Sequence, residues 1–316
     1  MKQSNQKTKT GLIILAITWL NMACVSSPNE QQPEAIEAAN NDLSTGVNHY
    51  NDSKHELAIS YFKNALHDFR SIDHQYGIAS SCLNLSKSYL SIGDIDTADA
   101  YIKQAQRIIK RENIKQLNHH LRIIESSIAI ENGQLSQAQE ILHPLLTSDN
   151  SNAFTLAAIQ NRTRIAHASN DKAEATQWTN TFEQKIKSSS NNQTYKARLA
   201  RFKASLSDDT KTQNQYFDEA LNMYRSQTNR PGIAATLQEW GDALIAQDQM
   251  ESARDKLLRA LYIRQSLQDR NNSLKTLNSL AVIFNDEKTG TWIGRLRNKH
   301  FKKWDEFIAA FSLFPA

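Results

Sequence analysis

At 316 residues the chain could form two average domains, but 9 Gly and 5 Pro are too few breakers for a hairpin-rich β fold. Hydrophobic residues make up 40%, low for one large globule but tolerable in a thin, elongated fold that buries a smaller share of its surface. The formal charge of +4 includes Lys2, Lys7 and Lys9, and without those three the chain sets 34 basic against 33 acidic side chains, which excludes a general electrostatic attraction to nucleic acid.

The first predicted element is a leader over residues 1–23. Residues 1–10 are polar and basic, and Gly11–Leu20 is almost wholly apolar. A core of that length matches a signal-peptide h-region and falls well short of the roughly 20 residues that span a bilayer. Ala23-Cys24 follows. A small residue directly before a cysteine, at the end of a short apolar run, resembles the lipobox of bacterial lipoproteins, although Asn21 stands where that family usually carries Leu. The resemblance implies that Cys24 becomes the first mature residue and the site of lipid attachment. Its alternatives are an ordinary secretory signal with an incidental cysteine and an uncleaved short anchor. Residues 24–39 are polar and hold no aromatic residue, so they are predicted to be a flexible tether. Val25 follows the cysteine where many inner-membrane lipoproteins carry Asp, so the resemblance favours the periplasmic face of an outer membrane.

From residue 40 to 285 one pattern returns. Aligned on small residues, helical pairs have equivalent positions at Gly46, Ser86, Ser126, Thr163, Arg201, Gly241 and Ala281, with spacings of 40, 40, 37, 38, 40 and 40. The second copy is the best preserved, with Leu85, Ser86 and Tyr89 on one helix, a turn at Gly93-Asp94, and Ala98, Ile102 and Ala105 on the next. The sixth carries Leu237, Trp240, Gly241, Leu244, Ala253, Leu257 and Ala260, and its flank RPGIAATLQEW parallels QYGIASSCLNL of the second. Small residues at crossing points let helices approach closely, and no pair can bury its faces without neighbours. The array resembles tetratricopeptide repeats of the longer type, near 40 residues. That resemblance implies an all-α fold, a right-handed superhelical α-solenoid of antiparallel helix pairs, with about six repeats and a partial seventh. Around Thr163 and Arg201 the signature thins to Ala166, Ala175 and Phe182, then Ala204, Phe217 and Ala220. Residues 188–193 are predicted to be a loop, and Pro144 to tighten or kink its helix.

Beyond residue 285 the pattern changes. Residues 286–316 hold a turn and then a basic amphipathic helix from Trp292 to Phe314, read as a cap on the array or as a surface for anionic lipid or an acidic partner.

Elements that would carry catalysis are missing from this pattern. His119 and His120 are adjacent, so on a helix they point in different directions, and the sequence has no H-E-x-x-H, C-x-x-C, G-x-S-x-G or Walker spacing. Cys82, inside the repeat signature, reads as a packing residue. The expectation is therefore no catalytic residue, no metal and no cofactor. In tetratricopeptide proteins first-helix side chains line the binding groove, and here that implies Leu83, Lys87, Ile123, Arg164, Arg198, Phe202, Gln238 and Asp242. The expected function is a lipid-anchored, non-catalytic scaffold binding a protein or peptide in the bacterial cell envelope. A second reading is an envelope-assembly or peptidoglycan-associated adaptor acting through its lipid and basic tail.

Overall fold

The computed structural model describes residues 34–147, 153–169, 171–189, 193–267 and 269–284. The predicted leader, Cys24 and the C-terminal amphipathic helix lie outside these residues. Among them the chain is all α-helix: α1 (Glu34–Asn51), α2 (His55–Ser71), α3 (Gln75–Ser91), α4 (Ile95–Arg111), α5 (Asn118–Glu131), α6 (Leu135–Leu146), α7 (Ala153–Ala168), α8 (Lys172–Ser189), α9 (Gln193–Leu206), α10 (Thr210–Ser226), α11 (Arg230–Ala246), α12 (Met250–Ser266) and α13 (Arg270–Phe284). A short 3₁₀ turn, Lys115–Leu117, leads into α5. Each helix packs on its successor, which makes an α-solenoid of antiparallel pairs, α1 with α2 through α11 with α12, ending on the unpaired α13.

One turn geometry explains this regularity. Residues with left-handed φ occur at Ser53, Asp73, Gly93, Asn113 and Gly133, 20 residues apart, and again at Thr228 and Asp248. The N–H of the next residue reaches back five positions in each case, as in Asp94 N to Tyr89 O at 3.0 Å and Gln134 N to Ala129 O at 2.8 Å. That is the bond that closes a helix C-terminus around a left-handed residue. The same residue then begins the next helix. The Asp94 carbonyl accepts from Ala98 N at 3.1 Å, and its carboxylate Oδ1 accepts from Thr97 N at 3.1 Å. His74 Nδ1 and Asn229 Oδ1 cap α3 and α11 likewise, accepting from Gly77 and Gly232. One residue therefore satisfies orphan carbonyls behind it and orphan N–H groups ahead.

Between these turns the apolar spacing sets the packing. In α2, Ala58, Phe62, Ala65, Leu66 and Phe69 form one stripe, and all are buried. Phe62 lies flat against α1 because Gly46 has no side chain; a Cβ there would sit 2.6 Å from the ring. At the matching position of α3, Ser86 is fully buried and donates its hydroxyl to Ala98 O of α4 at 2.8 Å. Thr163 of α7 does the same with Trp178 O at 3.2 Å. The pairs with thin signatures thus keep the same crossing, and Phe182 and Phe217 are buried in them. The exception is Arg201, whose guanidinium leaves the crossing to pair with Glu239.

No single core results. One cluster runs from Ala39 to Ile128 across α1 to α5, and others tie α5 to α7, α7 to α9, and α10 to α12. Two boundaries differ from expectation. Helix α1 begins at Glu34, so residues 34–39 of the expected tether are helical, and Ala39 is fully buried. Helix α8 runs to Ser189, into the predicted loop. Pro144 is accommodated inside α6, which ends after 12 residues where α2, α3 and α4 run 17.

The array returns on itself. Asn271 Nδ2 donates to Gly93 O at 3.3 Å, Lys275 pairs with Glu131 at 3.3 Å, and Arg230 lies 3.5 Å from Glu56. The first turns of α11 and α13 therefore meet the start of α2, the α3–α4 turn and the end of α5.

The turn geometry carries a stability test. Thr228 is β-branched and left-handed, a conformation that costs an L-residue about 1–2 kcal/mol. Thr228→Gly is expected to raise the free energy of unfolding by about 1 kcal/mol, while Gly133→Ala lowers it by a similar amount. Urea denaturation followed by circular dichroism measures both, and equal midpoints for all three proteins would remove strain at these turns from the account.

The candidate binding face of the first helices

The odd-numbered helices supply the inward surface. Its accessible row is the residue just after each crossing position: Val47, Lys87, Ser127, Arg164, Phe202, Asp242 and Val282, none of which is buried. One turn earlier lies a second row, and there exposure varies.

The residues expected to line a groove fall into three settings. Leu83 is fully buried within the α1–α5 cluster and offers no side-chain surface. Ile123 is half-buried against the Ala129 and Leu142 cluster, and its carbonyl accepts from Asn161 at 3.2 Å. Phe202 stacks on His167 at 4.7 Å and meets Phe182 edge-on. Gln238 is buried and fully engaged: its amide donates to Asp242 and to Ser279 Oγ at 2.9 Å, and its carbonyl accepts from Arg264 at 2.8 Å. Arg164 is 2.5 Å from Glu131.

Lys87 and Arg198 stand apart from that pattern. Neither has an acidic partner within ion-pair distance among the described residues. Lys87 Nζ sits 4.2 Å above the ring of Tyr50, whose hydroxyl is 3.0 Å from Ser91 Oγ. On α9, burial raises the Tyr195 phenol, Arg198 works against that rise, and Tyr50 on α1 adds to it. The two tyrosines are therefore near enough to oppose each other's ionisation, with one cation beside each. Residues brought together here are Tyr50, Lys87, Tyr195 and Arg198, from three first helices.

Around this cluster the interior is polar and largely self-paired. Burial disfavours the Glu131 carboxylate, but Arg164 and Lys275 outweigh it and hold its pKa below the usual range. Arg201 is raised despite burial, because Glu239 faces it with two oxygens. Burial, with Lys87 adding, pushes His120 down to about 4, so it is neutral at neutral pH. His55, at the start of α2, is buried and pushed down to about 4 for the same two reasons.

Two further observations bear on chemistry. Cys82 is fully buried and its thiol is pushed up to about 11 by burial, against the pull of Arg70, so it is packed and poorly nucleophilic. Among the described residues no group of three or more His, Cys, Asp or Glu could hold a metal ion, and no helix is long and apolar enough to cross a membrane.

Sequence reasoning missed Tyr50, Tyr195, Glu131, Glu239 and Lys275. Tyr50 carried a faint signal, lying one turn past the crossing residue Gly46. Glu131, Glu239 and Lys275 are defined by partners 33 or more residues away, such as Glu131 with Arg164 and Lys275. No protein-family model and no curated protein matches this chain.

The histidines generate a pH prediction. His55 has a folded pKa near 4 against an ordinary value of 6.5, so the unfolded chain takes up the proton first and stability falls as pH drops from 6.5 towards 4. At pH 5 the loss from His55 alone is about 2 kcal/mol. Urea midpoints at pH 7.5 and 5 should differ less in His55→Leu than in the wild type; equal differences would mean that His55 does not stay neutral on folding.

Proposed function

We propose that this chain is a tetratricopeptide-type scaffold that binds an extended, acidic peptide or protein segment on its first-helix face and performs no catalysis. The observation that carries the reading is the pair of cations, Lys87 and Arg198, left without carboxylate partners beside Tyr50 and Tyr195 while Arg164 and Arg201 are paired. Two cations flanking two phenols offer charge, hydrogen-bond donors and flat apolar faces to a chain with carboxylate side groups. Small residues at the crossing positions of α1, α3, α5, α7 and α11 support the repeat type.

The proposed setting is the bacterial cell envelope, with the array tethered by lipid on Cys24, most simply at the periplasmic face of the outer membrane. An apolar leader of about ten residues ending at Ala23-Cys24 supports it. More than one acyl chain would be needed for stable anchoring, since each buried CH₂ adds roughly 0.8 kcal/mol and a single chain is marginal.

Two measurements test these statements separately. Metabolic labelling with palmitate should mark the wild type and not Cys24→Ser, and equal labelling, or none in either, rejects the lipid anchor. Recovery of partners from detergent-solubilised membranes should fall at least about tenfold in Lys87→Glu with Arg198→Glu, the effect of roughly 1.4 kcal/mol or more. Unchanged recovery with unchanged helicity removes the first-helix face from consideration.

A further inference from the structure

The contacts that bring the end of the array back to its beginning differ in kind from those that build it. Within the array, successive helices share the apolar clusters described above, and among the described residues none of these four clusters joins α13 to the α3–α4 turn or to α5. Among the described residues, the hydrogen bonds and ion pairs across the closure are Asn271 with Gly93, Lys275 with Glu131 and Arg230 with Glu56. The charged partners are exposed in part: Lys275 by 55%, Arg230 by 40% and Glu56 by 53%. Such pairs are weak and screened by salt.

The fit is nonetheless shaped. The α3–α4 turn receives the cap of α13, where Asp269 accepts from Asn272 N at 3.0 Å. Gly93 is buried there, and a Cβ on it would overlap the Asp269 carboxylate. Gly133 holds the same place in the next pair, also with left-handed φ, and a Cβ on it would meet nothing within 4 Å. Left-handed φ alone does not demand glycine in this protein, because Ser53, Asp73, Asn113 and Asp248 adopt it. Gly93 is thus required by the docking of α13 as well as by the turn.

We propose that these contacts form a clasp that opens and closes. In the closed state α13 is held at the α3–α4 turn and at the end of α5, with Lys275 and Arg164 both on Glu131, and the turn of the array is narrow; in the open state α13 has left those two places, and the first-helix face has room for a segment of another chain along its length. The inference rests on the reading of that face as the binding surface, and concerns how access to it is controlled. Opening breaks polar contacts that water and salt replace, whereas separating neighbouring helices would expose an apolar layer. The array can therefore open here without unfolding.

The test uses the full chain with Cys24→Ser and spin labels on Asn132→Cys and Asn278→Cys, both exposed and on opposite sides of the clasp; Cys82 is buried and stays unlabelled. Dipolar spectroscopy should show a short separation at about 0.05 M salt and a growing population of long separations near 1 M, where the screening length falls to about 3 Å. Gly93→Asn and Lys275→Glu should show the long population at both salt concentrations, and Gly133→Asn should behave as the parent does. Asparagine already occupies this turn position at Asn113, so Gly93→Asn tests docking more than backbone strain; if it fails to fold, Lys275→Glu and the salt series decide. One short separation that neither salt nor Lys275→Glu changes, in a protein of unchanged helicity, overturns the clasp. A clasp that opens as described while Lys87→Glu with Arg198→Glu leaves partner recovery intact would instead remove the binding reading and leave the clasp standing.

Discussion

The structure depends on one local constraint, the left-handed residue that ends one helix and, one position later, hands the chain to the next. Helices α2, α3 and α4 run 17 residues each between three-residue turns, and the left-handed position recurs every 20 residues from Ser53 to Gly133. Because each turn has the same hydrogen bonds, each helix leaves its predecessor at a similar angle. Small angular steps of one sign accumulate along a stack. By the last described helix the accumulated rotation brings α13 against the α3–α4 turn and the end of α5. A property of single residues therefore sets the shape of the whole molecule, and shape in turn decides which side chains share an interior.

That interior is polar, and its charges are mostly matched. Arg164 with Glu131, and Arg201 with Glu239, join first helices of neighbouring pairs, and Arg264 is satisfied by Gln238, Thr276 and a backbone carbonyl. Buried charges persist only when paired or hydrogen-bonded, since an unpaired one loses its hydration without compensation. Lys87 and Arg198 are only half-buried, so water takes the place that a carboxylate holds beside Arg164 and Arg201. That is why they stand out as places where an external anion would find no internal competitor.

The all-α solenoid was legible in the sequence because close packing imposes a local signature: a small residue wherever helices cross, at Gly46, Ser86, Thr163 and Gly241. The degraded pairs were legible for the same reason, since Ala166, Ala175 and Phe182 still mark the crossing. The shorter 20-residue rhythm was harder to see, because the left-handed position accepts Ser, Asp, Gly, Asn and Thr alike, so no residue type repeats. Helix α1 was begun too late because residues 34–39 offer only Ile36 and small alanines beside two glutamates, and only the neighbouring helix shows that Ala39 is covered. Of the candidate face, the row led by Lys87 and Arg164 follows from helical phase. Leu83 shares that phase but is buried, because it faces the adjoining helices of the first cluster. Nothing local could pair Glu131 with Lys275, since their proximity comes from rotation summed over seven intervening helices.

The string of separate apolar clusters has a consequence for how this molecule can change over time. Cohesion resides in layers between adjacent helices, and in the inward row Phe202 packs into one of them while Lys87, Ser127 and Asp242 belong to none of the four clusters. Substitutions at positions such as Lys87, Ser127 or Asp242 therefore alter what the surface attracts while leaving the layers that bind helix to helix intact. Stability and recognition draw on different residues of the same helices. A lineage built this way is free to exchange one partner for another by drift along a single row, with the scaffold carried through unchanged.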